Sequence, residues 1–208
     1  REYWTTRTRR FQIELPDERF AEAFRASNAF RMITEREAVF VNSVRDAWPP
    51  LQAFMARQCA PGVYGWCDEF NPYVTDHEHG GYVYGRAWAK FARLLRDAVF
   101  DDYHLTFITL RSDFPEEWLE SPRPLRIVQA PTRFGPLDMT LTADPRRRRL
   151  TLALSGTARP PGGFRLMVPR DWQPTRLIVD GREQPIHNSE LRFGGGARRV
   201  EVLYSRAQ

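Results

Sequence analysis

The sequence predicts a multidomain α + β chain, with a helical region over residues 1–120 followed by an antiparallel β-sandwich over 121–208. Three observations carry that expectation. Apolar residues recur at helical spacing before about residue 121 and alternate in short runs after it. The second half is punctuated by Pro and Gly turns, Asp180-Gly181 and Gly194-Gly195-Gly196 among them. The length, 208 residues with 42% hydrophobic and 13% aromatic content, supplies a core for one large domain or two small ones.

The elements follow in order. FQIEL is a short extended stretch, after which Pro16 and Asp17 announce a helix, with Glu18 well placed near its N-terminus. Phe20, Phe24 and then Phe30 or Ile33 form its apolar stripe. A weaker segment with Ala38, Val39, Val41 and Val44 ends before Trp48-Pro49-Pro50. A helix over about 51–58 is stopped by Ala60-Pro61-Gly62, and residues 62–81 read as an irregular, aromatic and acidic loop. A helix over 84–99 places Ala87, Phe91, Leu94, Leu95 and Ala98 on one side. LTFITL, Pro115, Trp118 and Leu119 link it to the strands. Those strands are PLRIVQA, GPLDMTLTA, RRLTLALSG, GFRLMVP, TRLIVDG and RRVEVLY, with Asp180-Gly181 as a hairpin turn. Alternation with one polar face favours an antiparallel sandwich over a parallel αβ sheet.

Composition excludes several classes. No stretch reaches the roughly 20 apolar residues of a membrane span. The chain opens REYWTTRTRRF, without Met or a signal-peptide pattern, which reads as a processed form or a fragment and assigns no compartment. The net charge of +5 is carried by arginine, Lys90 being the only lysine, a ratio that reflects compositional bias more than phosphate recognition. Charge is uneven: residues 1–120 sum to −4, while 16 basic against 7 acidic residues give 121–208 a net +9. These arginines are scattered between apolar residues, so nucleic acid is not an expected partner, nor is a membrane. There is no Gly-rich phosphate loop. Cys59 and Cys67 are too few for a disulfide scaffold or a thiolate zinc site and read as free thiols.

The densest set of ionisable groups is Asp68, Glu69, Asp76, His77, Glu78 and His79. Two carboxylates can divide acid and base work in glycoside hydrolysis. Tyr64, Trp66, Phe70 and Tyr73 suit a sugar, whose C–H faces stack on aromatic rings. Adjacent Asp68 and Glu69 do not form an opposed pair, so a second carboxylate must come from elsewhere. The other readings are a solvated surface loop, a metal site from Asp76, His77 and His79, or a Cys67 thiol nucleophile; the last two lack a matching signature. Trp48, Trp88, Trp118 and Trp172 read as packing residues, and His104 as structural or solvent-exposed. His187 and Arg146 to Arg149 read as surface turns.

The run RLLRDAVFDDYHLTFITLRSDFPEEWLESPRPLRIVQAPTRFGPLDMTL resembles the exit of a six-hairpin (α/α)6 glycosidase-like domain into its C-terminal β-sandwich. LIVDGREQP resembles a hairpin of that sandwich, and the N-terminal segment through Phe30 resembles the start of the helical domain. GVYGWCDEFNP followed by HGGYVYGRAWAKFARLLRD resembles the late acidic loop and its following helix. The resemblance implies a partial (α/α)-barrel-like helical region followed by an antiparallel β-sandwich. It also implies inverting hydrolysis of a glycosidic bond, as in the α-L-rhamnosidase-like group. There Glu69 would be the general base, with Asp68 next in line, and His79 would sit at the rim of the site; the sugar would bind against the aromatic Tyr64, Trp66, Phe70 and Tyr73. No cofactor or metal is implied.

The chain departs from that pattern in length. Twelve barrel helices with their connections need far more than the roughly 120 residues before the strands, and the region of the general acid is missing. Inversion needs a second carboxylate about 6.5–9.5 Å from the base. Glu35 and Glu37 are nearby acids that no motif assigns. The alternatives are therefore a non-catalytic carbohydrate-binding or structural remnant, or an interaction subunit. In the latter, a second copy or another chain covers the helical region.

Overall fold

The computed structural model describes residues 12–34, 48–56, 85–112, 114–187 and 190–206. These residues fall into two compact units, one within Glu18–Ala98 and one combining the N-terminal strand segment through Asp17 with the chain from Val99 onward.

The first unit holds helices α1 (Glu18–Thr34), α2 (Trp48–Ala56) and most of α3 (Gly85–Val99). Glu18 sits in the first turn of α1, where its charge complements the exposed N–H groups. Phe20, Ala21, Ala23 and Phe24 are buried, at the near-four spacing that stacks side chains along one helix face. Phe91 of α3 meets Phe20 with ring centroids 6.5 Å apart. In α2 the prolines 49 and 50 lie in the first turn instead of preceding the helix, where a missing N–H removes no helical bond. Asp97, 5% exposed, is held by Arg96 at 3.0 Å and Arg93 at 3.7 Å. A buried carboxylate needs such cations to stay charged.

The second unit carries all eleven strands of the described residues, plus the four-residue helix α4 (Glu116–Leu119). The strands are β1 (Gln12–Glu14), β2 (Phe100–Asp101), β3 (Ile108–Arg111), β4 (Leu125–Ala130), β5 (Leu137–Asp144) and β6 (Arg149–Gly156). They continue with β7 (Phe164–Met167), β8 (Trp172–Val179), β9 (Arg182–Gln184), β10 (Leu191–Phe193) and β11 (Arg199–Arg206). A seven-stranded sheet has the order β1-β4-β5-β6-β11-β8-β9, and a four-stranded sheet the order β10-β7-β3-β2. This is a β-rich unit built on two sheets, as a β-sandwich has.

Register explains the larger sheet. Leu125, Leu141, Leu152, Val200 and Val179 are successive cross-strand partners, so one buried apolar row crosses five strands. Ile13, Ile127, Met139 and Leu154 make a parallel row. Each such side chain contributes about 1.5–3 kcal/mol when fully buried, and a slip of one residue would turn all of them to solvent. Asp180 and Gly181 close the β8–β9 hairpin with φ of 48° and 80°, the positive pair that a type I′ turn requires. The Asp180 carboxylate then accepts from the N–H groups of Arg198 and Arg199, pinning the start of β11.

In the smaller sheet β3 and β7 run parallel, and the other pairs are antiparallel. Phe193, Phe164 and Ile108 are successive partners, with the two phenyl centroids 5.7 Å apart. Ser112 prolongs this ladder: its N–H and its hydroxyl both donate to the Met167 carbonyl, at 2.9 and 2.6 Å.

This architecture corrects the predicted fold class. The chain is not a partial (α/α)-barrel-like helical region followed by an antiparallel β-sandwich. The described residues are dominated by sheet, and the four helices have 17, 9, 15 and 4 residues. Strands from the region expected to be helical, β1, β2 and β3, are built into the two sheets. The physical reason is that local periodicity reports which face a segment buries, not what it pairs with. Three residues such as Gln12–Glu14 become a strand only because β4 supplies their hydrogen-bond partners across the chain.

Candidate functional site

The residues that the sequence marks for chemistry, Asp68, Glu69, Tyr64, Trp66, Phe70, Tyr73 and His79, lie outside the described residues. So do Glu35, Glu37, Asp76, His77, Glu78 and both cysteines. Of the other residues singled out, Trp172 is buried and stacks on Tyr204 at 3.6 Å between centroids, and Trp118 is buried against Phe114 at 6.4 Å. Arg147 turns back on Asp144 at 3.6 Å and Arg149 pairs with Glu201 at 3.6 Å, so this basic turn is partly neutralised at the surface.

Among the described residues no group of three or more His, Cys, Asp or Glu side chains is placed to hold a metal ion. A hollow of about 10 Å³ lies among Pro16, Phe114, Trp118, Leu119, Leu125 and Leu141. It has room for about one water and no polar side chain to orient one, so it is a packing defect and not a ligand site.

The surface offers a better candidate, the loop between β2 and β3 with the adjoining edge of β10. Leu105 is 75% exposed and Tyr103 38%, the two large apolar side chains most open to solvent among the described residues. His104 stacks on Phe107 with ring centroids 3.7 Å apart and planes 21° from parallel. The loop is shaped by its own polar groups. The Asp101 carboxylate accepts the Tyr103 N–H at 2.8 Å, and His104 Nδ1 accepts the Thr106 N–H at 3.2 Å. The Thr106 carbonyl in turn accepts the Gly162 N–H at 2.6 Å, tying the loop to the turn before β7.

The cations come from the neighbouring strands. Pairing of β10 with β7 sets Arg192 opposite Arg165, and pairing of β7 with β3 sets Arg165 opposite Thr109. Arg192 Cζ lies 5.8 Å from the centre of the Phe107 ring, within cation–π range. Glu190 serves both guanidinium groups, accepting from Arg192 Nε at 2.7 Å and meeting Arg165 at 3.1 Å. The result is a stacked His–Phe pair in a loop that also exposes Tyr103 and Leu105, with the Arg192 guanidinium beside the Phe107 ring. Such a surface can cover an apolar face of a ligand while hydrogen-bonding its rim.

The sequence alone reads His104 as structural or solvent-exposed and offers no link to Arg192. The available signal was the run Tyr-His-Leu-Thr-Phe, aromatic and apolar residues concentrated in a loop. Arg192 could not be added from sequence, because it reaches the ring only through the order β10-β7-β3. No known protein family matches the chain, and no curated protein matches it in sequence.

Proposed function

We propose that the chain is a carbohydrate-binding protein related to glycoside hydrolases, with its β-rich unit acting as a non-catalytic sugar-binding module. The observation that carries this reading is the exposed Tyr103–Phe107 loop with the Arg192 guanidinium beside the Phe107 ring. Sugar rings offer apolar C–H faces and a rim of hydroxyls, and a ring stack bordered by Arg and Glu suits both. The two-sheet unit and the resemblance of APTRFGPL and LIVDGREQP to a glycosidase C-terminal sandwich support the same reading. The ligand is then an oligosaccharide or glycoside.

Calorimetric titration of neutral and acidic oligosaccharides against wild type and a Tyr103→Ala/His104→Ala double variant tests it. Both side chains are at the surface, so the variant keeps its core. Roughly tenfold weaker binding is expected, since two aromatic contacts at about 0.5–1.5 kcal/mol each are lost. Unchanged affinity in the variant contradicts the assignment.

A second reading, inverting hydrolysis, rests on the sequence Trp66-Cys67-Asp68-Glu69, which lies outside the described residues. Glu69 would take a proton from water as it attacks the anomeric carbon, while a separate acid protonates the leaving oxygen. A survey of aryl glycosides with Glu69→Gln as comparison decides it. General-base loss costs roughly 10²–10⁴-fold, and equal turnover by both proteins rejects the role.

A further inference from the structure

We infer that the Tyr103–Phe107 surface prefers sugars that carry a carboxylate, such as uronic acids; the inference rests on the sugar-binding reading above. Arg192 and Arg165 share one carboxylate, Glu190, and Arg192 spends only its Nε on it. Its terminal nitrogens have no hydrogen-bond partner among the described residues, and its side chain is 60% exposed. A guanidinium presents these donors in a planar fork that matches a carboxylate.

The other charges at this surface do not occupy that fork. Asp101 accepts the Tyr103 N–H within the loop, and Asp102 is 8% exposed and accepts the Arg133 N–H at 2.8 Å. His104 Nδ1 accepts the Thr106 N–H within the loop, and His187 meets Glu190 through their backbones. The cation is also fixed in direction. Glu190 holds it from one side and the Phe107 ring lies beneath it, so an incoming carboxylate meets an oriented donor. A sugar stacked on the His–Phe pair brings its ring substituents to this rim, where an anionic one gains a charge-assisted bond that a neutral one lacks.

The test titrates wild type, Arg192→Gln and Arg192→Lys with an oligogalacturonate of defined length and with the same oligomer fully methyl-esterified, at low and high salt. Wild type should bind the acid about fivefold more tightly than the ester, with the gap narrowing in salt as an exposed ion pair is screened. Arg192→Gln should bind both forms equally, each more weakly than wild type binds the acid, and Arg192→Lys should keep part of the preference. Equal binding of acid and ester by wild type overturns the inference while leaving the sugar-binding reading intact. A preference that survives Arg192→Gln also overturns it. Absence of binding to any oligosaccharide, neutral or acidic, removes the sugar-binding reading itself.

Discussion

Replacing Gly163 by Ala probes the contact that seats β10, and with it Arg192. Gly163 has φ of 76°, in the left-handed region where a Cβ is unfavourable. An added Cβ would press on the Phe193 carbonyl oxygen, with the carbonyl carbon at 3.1 Å and Gly194 Cα at 3.3 Å. All three are backbone atoms, so no side chain can rotate away. Relief must come from β10, which is held to β7 by three register pairs, Leu191–Leu166, Arg192–Arg165 and Phe193–Phe164. The left-handed conformation costs about 1–2 kcal/mol. Partial exposure of Phe193 and Leu191, both buried, adds about 1–3 kcal/mol. A loss of about 3 kcal/mol lowers Tm by about 12 °C or more in a unit of this size.

Gly181→Ala is the matched control. Its φ is 80°, yet nothing lies within 4 Å of the added carbon, so it carries the conformational cost alone, about 1–2 kcal/mol. Thermal unfolding by circular dichroism and urea midpoints at constant m would compare the two. If Gly163→Ala melts within about 2 °C of Gly181→Ala, a difference well under 1 kcal/mol, then the close approach of β7 and β10 does not govern stability and the reasoning fails.

Other expectations concern the same unit. Burial, opposed by Arg206 and Arg148, raises the Tyr204 pKa above the usual tyrosine value, so its stabilising share is complete below about pH 10 and is lost at higher pH. Tyr204→Phe should keep the stack on Trp172 and lose less Tm than wild type between neutral and strongly alkaline pH; parallel Tm curves would contradict this. The Glu183 carboxyl is held below the usual range by hydrogen bonds from Arg176 and then by its charge. That stabilisation is present above the unfolded carboxylate pKa and disappears as pH falls through the folded one. The stability gap between wild type and Arg176→Gln should therefore close in acid, and a gap independent of pH argues against the pair. Ser112→Ala removes one hydroxyl donor from the Met167 carbonyl but leaves the Ser112 N–H in place at 2.9 Å. It should cost about 1 kcal/mol by urea titration, and a loss several times larger would mean that the carbonyl depends on the hydroxyl.

Some elements were open to local reading because their cause is local. The β8–β9 turn follows from Asp180-Gly181, two residues suited to positive φ. The alternation of Leu150, Leu152 and Leu154 gives one buried face of β6 without reference to any neighbour. The helix around Phe91 and Leu95 likewise follows from its apolar spacing. β10 escaped such a reading, since three residues are too few to show a period. The candidate surface was only half legible: its aromatic loop is contiguous in sequence, whereas Arg165, Glu190 and Arg192 arrive on other strands.

By itself, the sequence determined where apolar faces and turns fall, and therefore that the second half is strand-rich. Those features arise from side-chain alternation and from φ limits within a few residues. Only the tertiary structure decided that β1, β2 and β3 belong to the sheets, that β3 runs parallel to β7, and that Arg192 stands over Phe107. Backbone donors and acceptors of a strand are satisfied by distant chain, and nothing in a local period names that partner. The helical half expected from apolar spacing yielded to this requirement, because a short extended segment becomes a strand wherever a ladder is there to complete it.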